Sequence, residues 1–157
     1  MSNNAAILGV GVLGRMVLGS TGDGLYLVTN RTAEDVLLGN SKGVYGVEDL
    51  NRVGNAVLYV ASRLKAAGNA LKVDPKTDWV EEDIPTVEQM NHYLKQVRNI
   101  RSVLSVYRTT PYAPADMVNL THGKANDIEK ILLDVDQLIT SMIAAYYYSG
   151  ELYGGEV

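Results

Sequence analysis

Leu50, Val53, Val57, Val60 and Leu64 recur at three- and four-residue intervals, the spacing that brings side chains onto one face of an α-helix. Glu48 and Asp49 open that stripe, where the positive end of a helix dipole favours carboxylates, and Gly68 follows as a terminator, so the first long helix is expected from Val47. A second stripe combines Met90, Tyr93 or Leu94, Val97, Ile100, Leu104 and Tyr107. Thr86 and Gln89 stand before it with capping-box spacing, and the prolines of TTPYAPAD end it by removing donors and restricting the residues before them. The third stripe, Ile128, Ile131, Leu132, Val135, Leu138, Ile139 and Met142, predicts a helix that starts between Thr121 and Asn126 and runs to about Tyr148, with Gly150 as its exit. Each stripe needs a surface to cover it, and three helices covering one another is the simplest answer.

The flanking segments lack this period. Residues 1–28 carry glycine at positions 9, 11, 14, 19, 22 and 24, and the pieces ILGVGVLG, RMVLG and GDGLYLV resemble short strands around a turn at Thr21 to Gly24. So glycine-rich a strand orders poorly by itself and is best ordered by pairing with something else. Residues 29–45 read as a short helix or loop linker, with Thr32 as cap, Asp35 at the third helical position and Gly39 to Gly43 as its end. Residues 70–85 are a connector that admits a short strand at Leu71 to Val73. The expected fold class is therefore mainly α: a three-helix unit (residues 46–149), a glycine-rich, β-prone N-terminal docking arm (1–28) and a short C-terminal tail (150–157).

Composition adjusts this picture modestly. A formal net charge of -4 argues against nucleic acid as a partner, because phosphate recognition wants a basic surface. The absence of cysteine removes disulfides and thiolate metal sites. Met1 to Ala6 has no basic region of a secretory signal, and AAILGVGVLG is too short to span a bilayer, so no membrane association is expected. The second long helix carries Lys95, Arg98, Arg101 and Arg108 against Glu88, whereas the third is acidic, which favours their adjacency. There are 10 tyrosines, one tryptophan and no phenylalanine, a bias toward rings with one wet end.

Candidate chemistry is thin. Gly9-Val10-Gly11-Val12-Leu13-Gly14 matches the dinucleotide string, with Glu34 and Asp35 about 20 residues on, but Gly19, Gly22 and Gly24 leave no room for the helix that must meet a pyrophosphate. His92 and His122 have no serine or cysteine at a recognisable catalytic spacing, and surface or cap roles suit them. Asp127, Glu129, Asp134 and Asp136 recur on the polar side of the third helix, with Lys130 to Asp134 as an i,i+4 pair. The acidic connector around Trp79 lacks the calcium-loop pattern, and it reads as solvated surface with Trp79 pinning it to the helices. No catalytic residue, cofactor or metal is expected. Tyr146, Tyr147 and Tyr148 turn by about 100° each on a helix, so at least one ring points away from the core and toward an interface.

The blocks KGVYGVEDLNRVGNAVLYVASRL, TDWVEEDIPTVEQMNHYLKQVRNIRSVLSV and LTHGKANDIEKILLDVDQLITSMIAAYYYSGELYGGEV resemble a module in structural proteins of tailed phages and prophages of Gram-positive gut bacteria, encoded by tail, baseplate or fibre-associated genes. The motifs DLNRV, TDW, ANDIEKILLDVD and YYSGELYGGE carry the likeness over residues 45–157, and ILGVGVLGRMVLG carries it loosely near the start. It implies that Asp49 to Arg52 start the first long helix, that Thr77 to Trp79 fix the connector and that Ala125 to Asp136 form the signature helix. It further implies a virion protein, present in the host cytoplasm during assembly, with tail or baseplate proteins and copies of itself as partners.

Two functions follow as expectations. In the first, the chain is a non-enzymatic adaptor that docks through Leu8, Val10, Val12 and Leu13 of the arm and through Tyr146, Tyr147, Tyr148 and Tyr153. In the second, it is a receptor-recognition module of a tail fibre that holds a host-surface glycan on Trp79 and exposed tyrosines.

Overall fold

The computed structural model describes residues 25–156, with side chains through Tyr148. Its elements are α1 (Ala33–Leu38), α2 (Val47–Ala66), α3 (Val87–Val103) and α4 (His122–Glu156), and no strand occurs among the described residues. The connector is therefore extended without pairing, and Leu71 to Val73 form no strand. Leu8, Val10, Val12, Leu13 and the GxGxxG string lie outside the described residues.

Helices α2, α3 and α4 pack pairwise around one core. The three stripes meet there: Leu50, Val53, Val57, Val60 and Leu64 from α2; Tyr93, Leu94, Val97 and Ile100 from α3; Ile128, Ile131, Leu132, Val135 and Ile139 from α4. The alternatives Tyr93 and Leu94 are both buried, and their hydroxyl and methyl ends differ in use, since Tyr93 Oη meets Tyr45 Oη at 2.5 Å.

Local chemistry sets the helix ends. Thr32 and Asp35 form a reciprocal capping box on α1, and Gly39 closes it at φ 63°, the left-handed region that glycine enters without a Cβ penalty. Asn40 and Thr32 hydrogen-bond the Asp35 carboxylate, which lowers its pKa to about 2. Thr86 and Gln89 cap α3 in the same way. Helix α3 stops at Val103, earlier than its stripe suggests: Leu104 is extended at φ -120° and ψ 163°, and Leu104 and Val106 pack on the core as alternate residues of an extended segment while Tyr107 is exposed. Helix α4 continues through Gly150 to Glu156, so residues 150–156 extend the helix where a separate tail was expected. The arm also ends sooner, because Leu25 and Leu27 pack against the core and Val28 N–H donates to Glu129 at 2.8 Å.

The connector is clamped by two side-chain amides. Asn51 accepts from Trp79 N–H and donates to Trp79 C=O, while Gln96 accepts from Asp74 N–H and donates to the Asp74 carboxylate. Between them Gly54 admits the connector backbone so closely that a Cβ would lie 2.7 Å from the Lys76 carbonyl oxygen.

Candidate functional site

Three places on the described molecule invite a functional reading: a buried charge cluster, a cleft beside it, and the distal half of α4. The cluster joins the linker to α2 and α4. Glu129, which has no exposed surface, accepts from Arg31 Nη2 at 2.6 Å, from Arg52 Nη2 at 2.7 Å and from Arg52 Nε at 2.9 Å, besides Val28 N–H. Asp49 accepts from both arginines as well, and its second oxygen takes the Gly46 N–H that starts α2. Burial works against the Arg52 charge, but its hydrogen bonds to Glu129 and Asp49 prevail and hold its pKa above the ordinary value. Burial raises the pKa of Tyr45 and Tyr93 beside them. Two cations facing two anions, each held by several hydrogen bonds, leave no group free to move a proton or attack a substrate.

The expected polar side of α4 is thus corrected. Glu129, Asp134 and Asp136 are buried: Asp134 accepts from Thr110 Oγ1 and pairs with Lys130, and Asp136 accepts from Arg63 at 2.5 Å. Helices α3 and α4 are adjacent as expected, but their charges do not pair. Arg98 and Arg101 of α3 donate to the carbonyls of Thr110, Pro111, Pro114 and Ala115, while the α4 carboxylates take Arg31, Arg52 and Arg63 from the linker and α2.

Ala33, Val36 and Leu37 of α1, Lys42, Gly43 and Tyr45 of the linker, and Leu120 to His122 and Ala125 at the α4 N-terminus line a cleft of about 510 Å³. Arg31 forms part of its wall, and Arg31 Nε has no hydrogen-bond partner among the described residues. That atom is fully covered, so a molecule in the cleft does not reach it. His122 lies in this wall, whereas His92 sits 3.0 Å from Asp74 at the connector. Among the described residues no group of three or more histidines and carboxylates is placed to hold a metal ion, and no helix is long and apolar enough to cross a membrane.

The third place is a surface. Among the residues of α4 whose side chains are described, Ile139 is the last that is buried, and Tyr146, Tyr147 and Tyr148 are 83%, 66% and 70% exposed. The Tyr147 and Tyr148 rings meet edge to face at 6.1 Å. Ile143 is exposed on the same stretch, and no residue from Gln137 to Gly150 is charged. The side chain of Tyr153 lies outside those described. Trp79 is corrected as a contact residue: at 5% exposure, with Lys76 Nζ 4.9 Å over its ring and Asn51 holding its backbone, it has no face to offer a glycan. Sequence reasoning singled out the tyrosines but missed Arg31, Asp49, Arg52 and Glu129 as a cluster. The available signal was Glu129 itself, at the border of the stripe, four residues after Ala125 and three before Leu132.

No family model, curated protein or solved structure matches the chain.

Proposed function

We propose that the protein is a non-enzymatic structural component of a phage virion, an adaptor that joins tail or baseplate neighbours and copies of itself. One observation carries the reading: α4 outlasts its bundle and presents a tyrosine-rich stretch, uncharged from Gln137 to Gly150, with nothing packed on it among the residues whose side chains are described. At about 1.5 Å per residue its 35 residues extend about 52 Å, against about 30 Å for the 20 residues of α2. A stretch so free of charge gains by burying its rings, and a bundle cross-braced by buried ion pairs is a firm base from which to present it. The resemblance of the sequence blocks to tail and baseplate proteins supports a virion as the assembly in which that burial takes place.

The test is a chain ending at Met142, supplied in place of the full chain during particle production. Purified tails should lack the shortened protein by mass spectrometry, while the soluble bundle stays folded. Normal incorporation would overturn the adaptor reading through α4. Retention by purified host envelope, lost on changing the exposed tyrosines, would instead move the function to receptor recognition.

A further inference from the structure

The apolar stripe of α4 runs past the end of the bundle that covers its first half. Ile128, Val135 and Met142 stand seven residues apart, and so do Leu132, Ile139 and Tyr146, the two rows of a helix that packs lengthwise on another helix. Ile128, Leu132, Val135 and Ile139 are buried in the core with α2 and α3. The same rows then emerge, and Tyr146, which continues the core stripe, is the most exposed of the three tyrosines.

We infer that this distal face is covered by the α4 of a second copy of the chain, laid antiparallel about a two-fold axis level with Tyr148. The inference rests on the assembly reading above and names the partner of the same surface. Continuity is the first argument, because one of the two rows of the face, Tyr146 and Tyr153, prolongs the Leu132 and Ile139 row already packed on helices and so fits another helix. Symmetry is the second. Positions 143, 146, 150 and 153 share one face of α4 and are spaced three, four and three, so reversing the helix leaves their spacing unchanged. Antiparallel pairing then sets Tyr146 of each copy opposite Gly150 of the other, the largest residue type on the face against the one without a Cβ. A parallel pair would set Tyr146 against Tyr146 and glycine against glycine, a clash beside a gap. Charge is the third argument, since the two acidic residues of the paired stretch, Glu151 and Glu156, fall opposite Ala145 and Thr140 of the other copy, so no like charges face each other.

The pairing is modest in size. Tyrosines bury about 150–250 Å² each, so Tyr146, Tyr147 and Ile143 from both copies give on the order of 1,000 Å², the lower end of specific interfaces. Association in the micromolar range is therefore expected, and assembly at high local concentration would complete it.

Sedimentation of the full chain across a micromolar concentration series should show a monomer–dimer equilibrium, weakened roughly tenfold or more by Tyr146→Lys with helicity unchanged. Because the chain has no cysteine, Gln137→Cys accepts a single spin label on the exposed side of α4. Antiparallel pairing places the two labels more than about 30 Å apart, whereas parallel helices hold them within about 20 Å. A monomer throughout the series, or the short label distance, overturns the pairing. If the full chain stays monomeric yet enters tails and Tyr146→Lys does not, the pairing fails and the adaptor reading stands; if the chain dimerises but its truncation enters tails normally, the reverse holds.

Discussion

Glu129 accepts four hydrogen bonds from Val28, Arg31 and Arg52 with no access to water, and so it ties the linker, α2 and α4 at one point. Such a cluster need not be more stable than an apolar core, but removing one member strands the others in a medium that solvates charge poorly. Glu129→Ala leaves two arginines facing Asp49 alone. It should cost about 3–5 kcal/mol in denaturant unfolding, and a loss below about 1 kcal/mol would mean that water reaches the cluster. Asp35 tests the opposite regime, a half-buried carboxylate near the surface held by local hydrogen bonds. Its folded pKa of about 2 lies below the ordinary value of 3.8, so the capping box contributes fully above about pH 4 and fades as pH falls through the folded value. Carbon-detected titration of the Asp35 carboxyl should show a midpoint near 2, with the α1 amide shifts moving in the same window. A midpoint near 3.8 would remove the capping box from solution.

Helix ends and buried stripes were legible in the sequence because a helix imposes its own period and its own caps. Thr32, Asp35, Thr86 and Gln89 act where their spacing placed them, and so do the stripe residues of α2 and, apart from Leu138 and Met142, those of α4. What a polar residue meets across a helix interface depends on other segments, and that is invisible to periodicity. Glu129 read as part of a polar side because its partners, Arg31 and Arg52, lie far away in the chain. Gly150 looked like a stop because glycine is a poor helix former, yet one such residue costs only about 1 kcal/mol and a long helix absorbs it. Gly54 is the reverse case, a glycine inside α2 kept for space. Alanine there should gain about 1 kcal/mol in helix propensity and lose about 1–3 kcal/mol by pushing the connector backbone outward. Gly54→Ala should therefore lower the unfolding midpoint and raise amide exchange at Lys76 to Trp79. A stabilised variant would show that the connector yields freely.

At the scale of the molecule, α4 has two halves with different work. Its first half closes the core through Ile128, Ile131, Leu132, Val135 and Ile139, whereas no residue between Thr140 and Tyr148 is buried. Stability scales with the apolar area and hydrogen bonds removed from water inside the body, and an exposed helix contributes little of either. The chain ending at Met142 should therefore unfold within about 0.5 kcal/mol of the full chain when both are monomeric, because Ile143 to Tyr148, the residues it loses whose side chains are described, are all exposed. The full chain alone should gain stability with concentration if α4 pairs, since a partner that binds only the folded state shifts the equilibrium by mass action. Denaturant curves at low and high protein concentration separate these effects. Coincident curves at low concentration and a raised midpoint for the full chain at high concentration fit a bundle that is complete by Ile139, with a distal helix kept for contact. A truncated chain weaker by several kcal/mol at every concentration would show that the distal half belongs to the body after all.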